Sequence, residues 1–229
     1  MEVLNIVKIV LEEGLKYAIL ALGVYLAYSI LDFPDLSVDG TMPLGAILSA
    51  VLILKGINPW VSVIVAFLGG AVAGCITGLL HVKLKLQPLL SGILVYTLLL
   101  TVNLVIIKAG TGGQSIASVF GRKTIFNSGA ANILPENAGN INIRKILVLM
   151  IFVLILKILM DLYLKTKSGM LLRATGSNQQ YVVMLAKNPG FSKILGLALG
   201  NGLAAVSGAV VAQSTETANT TMGVGIISR

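Results

Sequence analysis

Long apolar runs separated by short polar stretches organise most of this 229-residue chain. Six of these runs have the apolarity of membrane-spanning helices, which need about 20 residues to cross a bilayer. They lie at about 15–31, 41–54, 59–80, 88–107, 145–164 and 194–213. The second run is short, which predicts a tilted or broken helix. The pattern therefore predicts an all-α, polytopic helical membrane protein with a single transmembrane domain over residues 1–229 and a long polar loop at 108–143.

The polar segment 168–193 interrupts two intensely apolar runs and has itself a helical pattern. Gly176 is predicted to end a first short helix, because glycine enters the left-handed conformation without strain. Ser177 is then predicted to cap a second helix through its side-chain oxygen. Asn188-Pro189-Gly190 is predicted to stop that second helix, because proline cannot continue it. The segment thus predicts two short helices that fold back on each other.

The second of these helices carries a short apolar stripe. Tyr181, Met184 and Leu185 fall at i, i+3 and i+4, so they share one helix face. A stripe of this length fits a groove on a soluble partner. The alternative interpretation is an amphipathic helix that lies on the membrane surface.

Composition and charge narrow the class of protein. The chain is 56% hydrophobic and 11% charged, which a soluble domain of this size could not bury. The net charge of +8 comes from Lys and Arg spread over loops and span ends, without the basic patch that nucleic-acid binding requires. Alternate loops carry seven basic residues on one side of the membrane and six on the other, so charge does not decide the orientation.

Polar residues within or between the runs are candidates for function. Asp32, Asp35 and Asp39 lie between two apolar runs that only nine residues separate. Asp39 is placed to stabilise the positive N-terminus of the second span, and Asp35 and Asp39 are equally placed to line a substrate path. Asn103 and Asn201 lie within spans and predict either hydrogen bonds between helices or contacts along the substrate path.

Other features of the spans predict packing. Lys157 and Asp161 lie one helical turn apart and predict an ion pair. Small residues recur every four positions on two spans, which predicts close approach of helix backbones. These residues are Gly70, Gly74 and Gly78 on the third span and Gly196, Gly200, Ala204, Gly208 and Ala212 on the sixth.

Catalysis by this chain is not indicated. The sequence contains no HExxH motif, no Cys/His cluster for a metal and only one histidine, His81. The segment 110–115, GTGGQS, is similar to a phosphate-binding loop, but no Lys-Ser/Thr follows it and no strand precedes it. It predicts a turn. We therefore expect this chain to bind no cofactor or metal itself.

Two segments carry a specific resemblance. Residues 169–178 are GMLLRATGSN and residues 197–209 are LALGNGLAAVSGA. They resemble the permease family of ABC importers for branched-chain amino acids and ribose, whose cytoplasmic loop has the form G-x-x-x-R-A-x-G-x-N and whose next span has N-x-L-A-A-x-x-G. Residues 31–40, LDFPDLSVDG, are similar to a subgroup described as tryptophan or tyrosine permeases.

The resemblance implies a permease subunit that imports a small polar solute, first of all an amino acid, across the bacterial plasma membrane. It implies a second permease copy, two ABC ATPase subunits that bind ATP and Mg, and an extracytoplasmic substrate-binding protein. Residues 168–193 would be the cytoplasmic coupling loop, and 108–143 would be extracytoplasmic. The residues expected to couple to the ATPase are Arg173, Gly176, Asn178, Tyr181, Met184 and Leu185.

Family members continue past the position of Arg229 with further spans, so the resemblance leads us to expect that this chain lacks the family's C-terminal spans. A membrane scaffold or regulatory protein that does not transport is the alternative function. A channel is a third possibility.

Overall fold

The computed structural model describes residues 2–128, 143–184 and 186–223. Over these residues the chain is almost entirely helical, with one short pair of strands. The helices are α1 (Glu2–Tyr25), α2 (Val38–Leu54), α3 (Pro59–Leu84), α4 (Pro88–Thr111), α5 (Ile143–Lys165), α6 (Lys167–Ser177), α7 (Gln179–Met184) and α8 (Pro189–Thr215), and the strands are β1 (Ile116–Ser118) and β2 (Thr217–Asn219). The π-helical turn Leu26–Ile30 extends α1.

The helices confirm the prediction of an all-α polytopic membrane protein. In the described part of the chain, α3, α4, α5 and α8 are long and apolar enough to cross a membrane, and α2 is a shorter apolar helix of 17 residues. The first predicted span corresponds to the second half of α1 and its π-helical turn. Lys16 on α1 is buried and lies 2.8 Å from Glu13 and 3.5 Å from Glu12, so its charge is compensated.

The linker at residues 31–37 enters the bundle as irregular backbone between α1 and α2. Phe33, Asp35 and Ser37 in this linker are all buried. Gly40, in the first turn of α2, packs against Leu99 in the middle of α4. Helix α2 therefore begins partway along its neighbour, which explains its short length. Irregular backbone at this depth is tolerated because protein surrounds it.

Helix α8 forms the centre of the bundle, and 83% of an apolar stretch of 18 residues within it is buried. Gly70 and Gly74 of α3 lie directly against the backbone of Asn201 and Leu197 on α8. A methyl group at either glycine would collide with that backbone, so only glycine allows this approach. The predicted close approach of helix backbones at these small residues is confirmed.

Different structural elements lie at the two ends of the bundle. At one end, here called the α7 end, α6, α7 and the start of α8 lie beside the α3–α4 turn, since Lys193 of α8 contacts His81 of α3. At the other, the strand end, β1 and β2 pair antiparallel with Ala117 opposite Ala218. Both alanines pack in one apolar cluster with Ile53, near the end of α2.

Two helix boundaries predicted within residues 168–193 are wrong. Gly176 lies inside α6 with ordinary helical backbone, and the helix ends at Ser177. Glycine is needed at this position because a Cβ would collide with the carbonyl oxygen of Ile30. Asn178, rather than Ser177, caps the next helix, since its Oδ1 accepts a hydrogen bond from the Tyr181 amide at 3.1 Å.

The role predicted for Asn188-Pro189-Gly190 is also wrong, because this motif does not end α7. Helix α7 ends at Met184, and the chain turns at Ala186, whose φ is +54°. Asn188 caps α8 instead, because its Oδ1 accepts from the Gly190 amide at 2.9 Å and Pro189 is the first residue of that helix. The motif starts α8.

Two smaller predictions are confirmed. Gly112 and Gly113 have φ values of +71° and +101° and form the turn that ends α4. Lys157 Nζ lies 3.0 Å from Asp161 Oδ2. Residues 129–142 of the predicted loop 108–143 lie outside the described part of the chain.

Candidate functional site

Helix α7 presents apolar side chains at the surface of the α7 end. Tyr181 and Met184 are 55% and 82% exposed, while Val182 between them is fully buried and anchors the helix. Val183 is exposed as well. Leu185, the third residue of the predicted stripe, lies outside the described residues. The described stripe residues thus face outward, as a docking surface requires.

Helix α6 attaches this surface to the bundle. Leu172 and Thr175 are buried, and Leu172 packs in the same cluster as Phe33 of the linker. Arg173 lies on the exposed side of α6, and its carbonyl accepts a hydrogen bond from Ser177 Oγ at 3.0 Å. The motif residues Arg173, Gly176 and Asn178 therefore have different roles: the first is exposed, the second permits packing and the third caps α7.

A buried hydrogen-bond network lies where the linker meets α8. Asn201 Nδ2 donates to Asp35 Oδ2 at 2.7 Å, and the Ser37 amide donates to Asp35 Oδ1 at 2.8 Å. Asp35 and Asn201 are both fully buried. The carboxylate at residue 35 thus has a donor on each oxygen, which is how proteins accommodate a buried charge.

Two neighbouring helices complete this network. Asn201 Oδ1 accepts from Ser37 Oγ at 3.1 Å and from Thr41 Oγ1 of α2 at 3.0 Å. Thr77 of α3 donates to Ser37 Oγ at 3.2 Å. These bonds fix the amide orientation of Asn201, because its oxygen must face the hydroxyls and its nitrogen the carboxylate. The network ties the linker, α2, α3 and α8 together.

Asn103 lies near the first turn of α2, the turn that also carries Asp39. Asn103 Nδ2 donates to the Gly40 carbonyl at 3.1 Å, and its Oδ1 has no hydrogen-bond partner among the described residues. The Gly40 carbonyl can only accept, so the orientation of the amide is fixed. Asp39 lies in the first turn of α2, as predicted, and is 9% exposed. Asn103 is the candidate with an unused acceptor.

The sequence interpretation missed several residues that the structure brings into these sites. The hydroxyls of Ser37, Thr41 and Thr77 gave no indication of their role, because such residues are common in spans. His81 and Lys193, at the ends of α3 and α8, meet at the α7 end with 3.2 Å between His81 Nε2 and Lys193 Nζ. The presence of a single histidine at a span end was the one available indication for this pair.

Comparison with known protein families identifies the family to which the chain belongs. A family described as "Branched-chain amino acid transport system / permease component" matches residues 6–228 of the chain. The chain belongs to this permease family. The match covers all the spans together with the segment 168–193.

Individual relatives agree with the family. The permease is 41% identical over 218 residues to a tyrosine transport system permease protein of Clostridioides difficile (strain R20291), covering 95% of this chain and 68% of that protein. It is 34% identical over 223 residues to an uncharacterized protein of Rickettsia prowazekii (strain Madrid E), covering 97% and 73%. It is 29% identical over 199 residues to a fructose import permease protein of Bifidobacterium longum (strain NCC 2705), covering 86% and 52%. No solved structure matches the chain significantly.

Membership in the family establishes the general function. The protein is a multi-pass protein of the bacterial plasma membrane and a permease subunit of an ABC importer. Permease components of these importers are not themselves enzymes and work with a partner ATPase. The comparisons give no support to the alternative of a scaffold or regulatory protein that does not transport.

Proposed function

We propose that this permease imports an amino acid, and that tyrosine is the first substrate to test. The name of the Clostridioides relative supports this choice, and that of the Bifidobacterium relative makes fructose the competing solute. Two permease copies form the pathway. Two ATPase subunits, which hold ATP and Mg, dock at the α7 end, and a substrate-binding protein delivers the solute at the strand end.

The outward apolar surface of α7 carries the assignment of the docking site. A six-residue helix with exposed tyrosine and methionine side chains would leave apolar area in water, and burial of each side chain against a partner is worth about 1.5–3 kcal/mol. Asn178 fixes the start of α7, and Val182 fixes its inner face. A partner that binds α7 therefore moves this helix together with the part of the bundle that holds Val182.

Charge introduced on this surface tests the docking. Tyr181→Asp and Met184→Asp should each remove copurification of the partner ATPase, because an unpaired charge in an apolar interface commonly costs several kcal/mol. Phe120→Asp is the matched control, since Phe120 is 83% exposed close to β1 at the strand end. The measurement is recovery of the ATPase with tagged permease from detergent extracts. Unchanged recovery with both α7 variants would exclude docking on α7.

Asn103 is the residue that we assign to the substrate path. The side-chain polar atoms of Asp35 and Asn201 all have partners within the network, whereas the Asn103 Oδ1 acceptor is unused among the described residues. The ammonium group of an amino acid supplies the missing donor. Asn103 is fully buried, so its contact with Gly40 must loosen when the pathway opens.

Uptake measurements test this assignment. Asn103→Leu should lower tyrosine uptake into proteoliposomes by about tenfold or more, because hydrogen bonds to charged groups are worth about 1.5–3 kcal/mol. Ser207→Ala is the control: this buried hydroxyl on α8 donates to the Lys16 carbonyl at 2.9 Å, away from the path. Normal uptake of both tyrosine and fructose by a stably folded Asn103→Leu protein would refute the role.

A further inference from the structure

His81, the only histidine of the chain, joins several elements at the α7 end. It lies near the end of α3, and its Nδ1 is 2.8 Å from the Leu86 carbonyl in the α3–α4 turn. Its Nε2 is 3.2 Å from Lys193 Nζ on α8. Its ring meets the Phe33 ring of the linker edge to face, with 5.1 Å between the centroids and 83° between the planes.

The two ring nitrogens have fixed and opposite roles. The Leu86 carbonyl can only accept, so Nδ1 carries the proton and donates to it. The Lys193 ammonium can only donate, so Nε2 offers its lone pair. His81 is therefore neutral with the proton on Nδ1. The contact with Lys193 is a directed hydrogen bond rather than a contact between two cations.

Lys193 continues the connection to α7. Its Nζ also donates to Oε1 of Gln179, the first residue of α7, at 3.2 Å. On the other side of His81, the buried Phe33 lies two residues before Asp35 in the linker. A continuous set of contacts thus leads from α7 through Lys193, His81 and Phe33 to the network around Asp35.

We propose that His81 is a positioning residue that transmits movement of α7 to the linker 31–37 and so to the start of α2. This proposal rests on the proposed function of α7 as the ATPase docking site. The contact has room to change, because His81, Lys193, Gln179 and Asn188 line a cavity of about 430 Å³ that opens to the surface. A displacement of the linker is passed on to the bundle, because Asp35 and Ser37 are hydrogen-bonded to Asn201 of α8 and to Thr77 of α3.

Two near-isosteric substitutions separate the two hydrogen bonds of His81. An amide nitrogen in His81→Asn takes the position of Nδ1 and keeps the bond to Leu86, but nothing reaches Lys193. An amide oxygen in His81→Gln takes the position of Nε2 and keeps the bond to Lys193. Both variants lose the ring contact with Phe33, so they differ only in which of the two hydrogen bonds is kept. Lys193→Met removes the same bond from the other side and retains an apolar stem.

The permease is reconstituted with its partner ATPase, and tyrosine transported per ATP hydrolysed is measured beside ATPase copurification. His81→Asn and Lys193→Met should lower this ratio by about fivefold or more, the lower end of typical coupling between sites. His81→Gln should lie between these variants and the unaltered protein, because it keeps the bond to Lys193 but loses the ring contact with Phe33. All variants should still copurify the ATPase, unlike Tyr181→Asp. The double variant His81→Asn/Lys193→Met should be no worse than either single one, because both interrupt the same connection between α7 and the linker.

Several results would overturn the proposal. Equal ratios for His81→Asn and His81→Gln would show that the Lys193 bond is not used. Additive losses in the double variant would show that the two residues act separately. Loss of copurification in His81→Asn would assign His81 to the docking surface. If the His81 variants fail to fold, Gln179→Ala and Lys193→Met decide, since a normal ratio in both excludes the connection. Failure of docking itself is shown independently by the Tyr181→Asp result.

Discussion

At the scale of single residues, the sequence identified polar positions without identifying their partners. Asp35, Asp39, Asn103 and Asn201 were singled out because polar groups are costly in a membrane. The structure pairs Asp35 with Asn201 across 166 positions of the chain, and no local pattern encodes such a pair. The network explains why Asp35 is tolerated in a buried linker without assigning it to a substrate.

Exchange of the two network side chains tests whether Asp35 has a structural role. In Asp35→Asn, the new amide nitrogen faces either the Asn201 nitrogen or the Ser37 amide, which are both donors, and Asn201 cannot turn without losing its bonds from Ser37 and Thr41. We expect a loss of about 1–3 kcal/mol in stability, the usual cost of an unsatisfied buried group. Asn201→Asp in the same protein restores a donor opposite an acceptor and should recover most of this loss.

Thermal unfolding of the purified protein in detergent measures both effects. Asn201→Asp alone is the control, because it places two carboxylates side by side and should be less stable than the double variant. If Asp35→Asn is as stable as the unaltered protein, the network does not hold the linker. If the double variant is stable but Asp35→Asn alone abolishes uptake without loss of protein, a substrate role for Asp35 returns.

At the scale of elements, the positions of the helices were predictable and their ends were not. Apolar length alone located the helices. The short second span was predicted to be tilted or broken, and α2 is a continuous helix of 17 residues that follows the irregular linker 31–37. The ends of α6 and α7 were misassigned because a local propensity was weighed without the packing. Gly176 resembles a helix terminator, but it is needed for close contact with Ile30, and such a contact is invisible in the sequence.

Packing between helices could be predicted only in part from the sequence. The four-residue spacing of glycines on α3 and α8 predicted close approach, because small residues allow backbones to touch. It did not say that α3 and α8 pack on each other, or that Gly208 packs instead against Met42 of α2. The contact between His81 and Lys193 at the α7 end was missed for the same reason, since the two residues are 112 positions apart.

At the scale of the whole molecule, the structure places α7 and the strands at opposite ends of the bundle. The basic residues divide almost evenly between the loops, so the positive-inside rule does not choose. The proposed docking of the ATPase on α7 requires that α7 face the cytoplasm, where ATP is available. Both the docking of the ATPase on α7 and the role of His81 depend on this orientation.

Thiol labelling of intact cells tests this orientation. Met184 on α7 and Phe120 close to β1 are 82% and 83% exposed at the two ends of the bundle, so cysteines there are equally accessible to a reagent. Cys75, the native thiol on α3, is first replaced by alanine. With a membrane-impermeant maleimide, Phe120→Cys should react in intact cells, and Met184→Cys should react only after permeabilisation. The Cys75→Ala protein alone should stay unlabelled. Reaction of Met184→Cys in intact cells, with Phe120→Cys protected, would place α7 outside the cell. That result would refute both the docking of the ATPase on α7 and the proposed role of His81.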